Sequence, residues 1–149
     1  VRAEEILEAA RSVVVVDWPS RDVPDTLARA GYEVHVHGGP GPEDWSAHRW
    51  DGGEVVVERT GRPPERADLV YSHRPLDELG GIVETAQRLG AVAVWVQSGR
   101  SPDGRRDPAG CWLAETESGW ARALVEAAGL AYVDDRYLPD EVRRRTTAT

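Results

Sequence analysis

The chain has 149 residues, 40 % of them hydrophobic and 30 % charged, and carries a net charge of −8 at pH 7. That length supports a single two-sided core, no apolar run approaches the roughly 20 residues of a spanning helix, and the acidic balance argues against a nucleic-acid partner, which needs a basic face. All 18 basic residues are arginine and there is one cysteine, Cys111, so lysine chemistry, an internal disulfide and a multi-cysteine metal knuckle are all excluded.

The first segment, "VRAEEILEAAR", reads as an acidic amphipathic helix without the apolar core of a secretion signal, which points to a cytoplasmic protein. It leads into "SVVVVD", Ser12–Asp17, where four consecutive valines predict a strand buried on both faces. A strand of that kind opens many nucleotide-binding α/β folds, and the turn after it is usually rich in glycine. Here the turn is Asp17, Trp18, Pro19, Ser20 and Arg21.

Three stretches then repeat one grammar: "DVPDTLARAGYEVHVHG", "PLDELGGIVETAQRLGAVAVWVQSG" and "ESGWARALVEAAGLAYVDD". Each is a helix-period segment, one glycine and a short apolar run. Leu79, Ile82, Val83 and Ala86 form the buried stripe of the second helix, and Trp120, Leu124, Val125 and Ala128 that of the third. Gly31, Gly90 and Gly129 stand where each helix must end, a position that favours positive φ. The predicted strands are 12–17, 32–37, 54–59, 68–72, 92–97 and 131–134. Strands alternating with helices give an α/β, Rossmann-like, doubly wound and mostly parallel sheet of five to six strands covered on both faces. Right-handed crossovers bring "DWPSR", "HGGPG", "SHRP" and "QSGRS" to one carboxyl edge, where such sheets bind ligands.

Two segments interrupt the pattern. Residues 38–53, "GGPGPEDWSAHRWDGG", read as a loop, and residues 100–110, "RSPDGRRDPAG", as a charged excursion. The single domain is expected over 1–139, with 140–149 as a frayed tail.

The order "SVVVVDWPSRDVPDTLARAGYEVHV", "RADLVYSHRP", "RLGAVAVWVQSG" and "AAGLAYVDDR" resembles the small stand-alone CoA-binding domain proteins of bacteria, over about Ile6 to Leu138. These share their fold with the N-terminal CoA-binding domain of the succinyl-CoA synthetase α subunit. The resemblance implies a cytoplasmic, non-catalytic module for CoA, acyl-CoA or a related adenine nucleotide. It places Ser20 and Arg21 against phosphate, Gly38 and Gly39 beside the adenosine, and Arg74, Gln97 and Gly99 beside the remainder, with Trp18, Ser72, His73 and Ser98 at the same strand ends. The family pattern has glycine where this chain has Asp17, and often cysteine where it has Tyr137. An enzyme is not implied, since the synthetase takes its chemistry from an additional domain.

Individual residues leave alternatives open. Asp17 is a cap or turn residue, or one that contacts a ribose or repels phosphate, and Pro19 removes one N–H donor. Trp18 either stacks on adenine or plugs the sheet edge. A plugged edge gives a second reading, a closed-pocket family member acting through a protein partner or as a homodimer. Glu33, His35 and His37 share one strand face, a possible metal arm with His48 or Asp44, although histidines there more often bond to neighbours. Trp95 and Trp120 read as core residues, whereas Trp45, Trp50 and Trp112 fall in or beside loops. Cys111 has no base at nucleophile spacing, and no catalytic constellation is legible.

Overall fold

The computed structural model describes residues 2–97 and 113–148. In chain order these form α1 (Ala3–Ala9), β1 (Ser12–Val16), α2 (Asp22–Arg29), β2 (Glu33–His37), β3 (Trp45–Asp51), β4 (Glu54–Arg59) and β5 (Leu69–Ser72). A 3₁₀ turn (Leu76–Glu78), α3 (Leu79–Leu89), β6 (Ala93–Val96), α4 (Glu115–Ala127), β7 (Ala131–Val133) and α5 (Leu138–Ala148) follow. One mixed sheet runs in the order β4-β3-β2-β1-β5-β6-β7. Strands β2, β1, β5, β6 and β7 are parallel neighbours, while β3 lies antiparallel to both β2 and β4. This is the α/β Rossmann-like fold expected from the alternating pattern.

The valine run of β1 alternates between two cores. Val13 and Val15 join Val34, Val36, Leu69, Tyr71 and Trp95 beneath α1, α2 and α5. Val14 points the other way, toward Val70, Val94, Val96 and the buried stripes of α3 and α4. Because successive strand residues face opposite sides, a strand covered by helices on both faces must be apolar throughout. The α3 stripe is the predicted one, extended by Leu89. Gly31, Gly90 and Gly129 all take positive φ, at 97°, 76° and 81°, as the helix exits require.

Three expectations are corrected. The sheet has seven strands, because part of the segment read as a loop is β3. Asp51-Gly52-Gly53-Glu54 makes the hairpin to β4, and both glycines have positive φ, the requirement of a tight two-residue turn. Residues 140–148, read as a frayed tail, run in α5, which docks on α1 and α2 through Leu138 and Val142, at 0 % and 2 % exposure. Those two residues, four apart, are its whole apolar stripe, so the signal is short. Trp120 is not core: it is 53 % exposed, because the buried line of α4 is centred on Ala121 and Val125, and residue 120 falls on its border. Trp95, by contrast, is fully buried and donates its indole N–H to the Arg136 carbonyl at 3.0 Å.

The connection from β4 to β5 carries no helix. Thr60 and Gly61 both donate to the Trp45 carbonyl near one edge of the sheet, and Ala67 and Asp68 donate to Leu89 and Ser12 near the other. A right-handed crossover lays this segment on the face shared by α3 and α4. Ala67 and Trp45 are buried in the same cluster as Val14.

Candidate functional site

At β1 the chain changes direction across the sheet: β1 leads to β2 on one side, and β5 later takes the place on its other side. Ligands in open α/β sheets bind beyond the carboxyl ends of the strands at such a switch point. A cavity of about 430 Å³ lies there, lined by Val16, Asp17, His37, Gly38, Gly39, Pro40, Arg74 and Glu78. Hollows of about 680 Å³ between α2 and α5, and about 230 Å³ beside Tyr32 and Arg145, lie away from these strand ends.

Asp17 follows β1 with φ +65°, the one left-handed non-glycine residue among those described. Aspartate tolerates this region better than most residues because its short polar side chain bonds locally. Its backbone N–H donates to the His37 carbonyl at 3.0 Å. Its Oδ1 accepts the Trp18 N–H at 2.9 Å, and its Oδ2 accepts Arg74 Nη1–H at 3.1 Å. The guanidinium of Arg74 also donates from Nε and Nη2 to Glu78, at 2.7 to 3.2 Å. These carboxylates hold the Arg74 charge firmly in place, pushing its pKa up. Arg74 is anchored through its own N–H, which donates to Ser72 Oγ at 3.1 Å.

The glycines after β2 are close-approach positions. A Cβ on Gly38 would meet the Trp18 ring at 2.5 Å, and one on Gly39 the Asp44 carboxylate at 2.4 Å. Asp44 organises this loop: its carbonyl accepts the Gly38 N–H at 3.2 Å and its Oδ2 the Gly41 N–H at 2.8 Å. His37 stacks on Trp45 with centroids 4.9 Å apart and donates from Nε2 to the Gly41 carbonyl.

Of the residues expected from sequence, Gly38, Gly39 and Arg74 line the cavity. Trp18 forms the wall behind Gly38 and packs on the core beneath α2. Ser20 and Arg21 face elsewhere. Ser20 Oγ accepts the Asp22 N–H at the start of α2, and Arg21 pairs with Asp25 at 3.0 Å. Ser72 and Gln97 are buried, Gln97 Oε1 accepting the Tyr71 hydroxyl at 3.2 Å, and the His73 N–H donates to the Val16 carbonyl. Ser98 and Gly99, like Arg100, Cys111 and Trp112, lie outside the described residues. Val16, Pro40 and Glu78 are cavity residues that sequence reasoning did not single out, and they are joined by Asp17, weighed there as a cap or a ribose contact, and by His37, weighed as a metal arm. The Arg74-to-Glu78 spacing of four was the available signal for one of them.

The histidines of β2 bond to neighbours: His35 donates to Glu33 at 3.0 Å. His48 belongs to the opposite sheet face, with Nδ1 3.6 Å from Asp25, so it cannot join them around an ion. Among the described residues no group of three or more His, Cys, Asp or Glu side chains is placed to hold a metal. No helix among them is long and apolar enough to cross a membrane.

A family model described as "CoA binding domain" matches residues 12–138. The chain belongs to the CoA-binding domain family. Two solved structures are similar to it. Prb, described as the PH1109 protein redesigned for binding, shares 20 % identity at a TM-score of 0.59, over 95 % of this chain and 87 % of that one. Cell-free ID.343 from Thermus thermophilus shares 25 % identity at a TM-score of 0.57, over 94 % and 93 %. No curated protein matches the chain. The first loop of this chain carries a left-handed aspartate ion-paired to Arg74.

Proposed function

We propose that this CoA-binding domain protein is a cytoplasmic, non-catalytic module that holds CoA, an acyl-CoA or a related adenine nucleotide at the carboxyl edge of its sheet. The observation that carries this reading is the cavity of about 430 Å³ at the switch point beside β1, a size within the range of small-molecule sites. Gly38 and Gly39 border that cavity on the β2 side, their Cβ positions given over to the Trp18 ring and the Asp44 carboxylate, and Arg74 supplies a cation on the β5 side. Its partner is a small nucleotide-like molecule rather than nucleic acid or a membrane. Calorimetric titration with CoA, paired with a thermal shift, tests it. Saturable heat and a melting temperature that rises with CoA concentration are expected, because a ligand bound only by the folded state stabilises that state. No heat and no shift at millimolar CoA would overturn it.

A second reading, a closed-pocket module acting on a protein partner or a second copy, is favoured by one observation: the Trp18 ring lies against Gly38 and occupies part of the strand-end space. It predicts no nucleotide response in the same titration, together with concentration-dependent self-association or capture of a partner.

A further inference from the structure

A diphosphate at the end of β1 needs backbone N–H groups aimed outward and a surplus of positive charge. This cavity wall offers little of either. The Trp18 N–H is engaged by Asp17, the Gly38 N–H by the Asp44 carbonyl, the Gly41 N–H by the Asp44 carboxylate and the Arg74 N–H by Ser72. The cavity wall carries two carboxylates, Asp17 and Glu78, against one guanidinium, and every terminal nitrogen of Arg74 already donates to them. Asp44 adds a third carboxylate directly behind Gly39, its closest cation being Arg59 at 3.9 Å. Arg21, the remaining cation of the first loop, is turned along α2 to Asp25.

Carboxylates are acceptors only, so a group that suits this wall is a hydrogen-bond donor. A ribose diol fits, since dinucleotide folds hold a ribose hydroxyl with an acidic residue at a strand end, there about 20 residues past the first turn and here in that turn itself. Resting on the binding reading above, we infer that Asp17 is a specificity-determining residue that makes the cavity beside β1 a site for the ribose hydroxyls of a nucleoside and keeps a diphosphate out of it. Asp17 acts twice. It presents an acceptor to the ligand, and it holds Arg74 in an ion pair that a phosphate would have to break. The ligand class is then an adenine nucleoside, or a nucleotide whose phosphates lie away from the end of β1.

The test compares the dissociation constants of adenosine, ADP and CoA for the wild-type protein, Asp17→Asn and Glu78→Gln. Asparagine is tolerated at positive φ, and Glu78→Gln leaves the first loop untouched, so the two variants guard against a folding defect. The expected result is that wild type binds adenosine at least as tightly as ADP, and that either folded variant shifts the ADP-to-adenosine affinity ratio toward ADP by fivefold or more. A smaller shift in every folded variant, or a wild type that binds ADP more tightly than adenosine, overturns the inference. If CoA still binds in that case, the binding reading survives alone. If none of the three ligands binds any of the proteins, both fall.

Discussion

Asp17 holds a backbone conformation that costs an L-residue roughly 1–2 kcal/mol, and two hydrogen bonds accepted by its own carboxylate offset that cost. The strain and the bonds separate by mutation. Asp17→Ala keeps the positive φ and loses both bonds, whereas Asp17→Gly loses the bonds and the strain together. Urea denaturation is therefore expected to find the alanine variant less stable than the glycine variant by about 1 kcal/mol. Gly38 makes a second case. A methyl there strikes the Trp18 ring, so Gly38→Ala should cost about 1–3 kcal/mol, and less by about half or more in a Trp18→Ala background. Additive costs would mean that the two residues do not touch. Only part of this was legible beforehand. Glycines after a strand end mark close approach in general, but that an indole fills the space depends on which way Trp18 turns, and no spacing encodes that. The Tyr137 hydroxyl is another such detail. It donates to Asp22 at 2.9 Å, tying the residue that leads into α5 to the start of α2 beside Ser20, and burial pushes its pKa up to about 12.

Elements with a strong period were readable, and those specified by a few contacts were not. The α3 stripe and the glycine exits follow from local sequence alone. Strand β3 escaped because Gly38, Gly39, Pro40, Gly41 and Pro42 precede it and its own residues, "WSAHRWD", mix polar and aromatic side chains on both faces. The Asp-Gly-Gly-Glu turn signalled a hairpin, but only a partner strand gives that signal meaning. For α5 the expected consequence is large. Val142 is 2 % exposed, so Val142→Ala should lower stability by about 1–3 kcal/mol by thermal or chemical denaturation, an effect no frayed tail would show. The two tryptophans first read alike should now part company. Trp95→Ala is expected to cost about 3–5 kcal/mol and Trp120→Gln less than about 0.5 kcal/mol.

Across the whole molecule, pH acts through groups that the fold holds away from their ordinary titration. His48 is 4 % exposed under α2. Burial, then the nearby charge of Arg21, lowers its pKa, against the smaller opposing pull of Asp25. The unfolded chain therefore binds a proton near pH 6.5 that the folded one refuses until lower pH, and stability falls as pH drops through that interval. Denaturation midpoints at pH 8, 6.5 and 5 should decline in wild type and flatten below pH 6.5 in His48→Gln. Asp68 titrates in a lower window. The N–H groups of Arg11 and Ser12 hold its carboxyl below the usual 3.8, so its share persists above that value and disappears as pH falls through the native one. One further trait is mechanical. Between Gly61 and Ala67 the backbone must run from the β3 end of one edge to the β5 end of the other. That diagonal is about 20 Å, given strands about 4.8 Å apart and a rise of about 3.3 Å per residue. The residues available reach about 20 Å at full stretch. The tether is short for its span. Removing residues from it is expected to strain the outer hairpin against the sheet, whereas adding several would be absorbed, and urea denaturation of the two kinds of variant reads the difference.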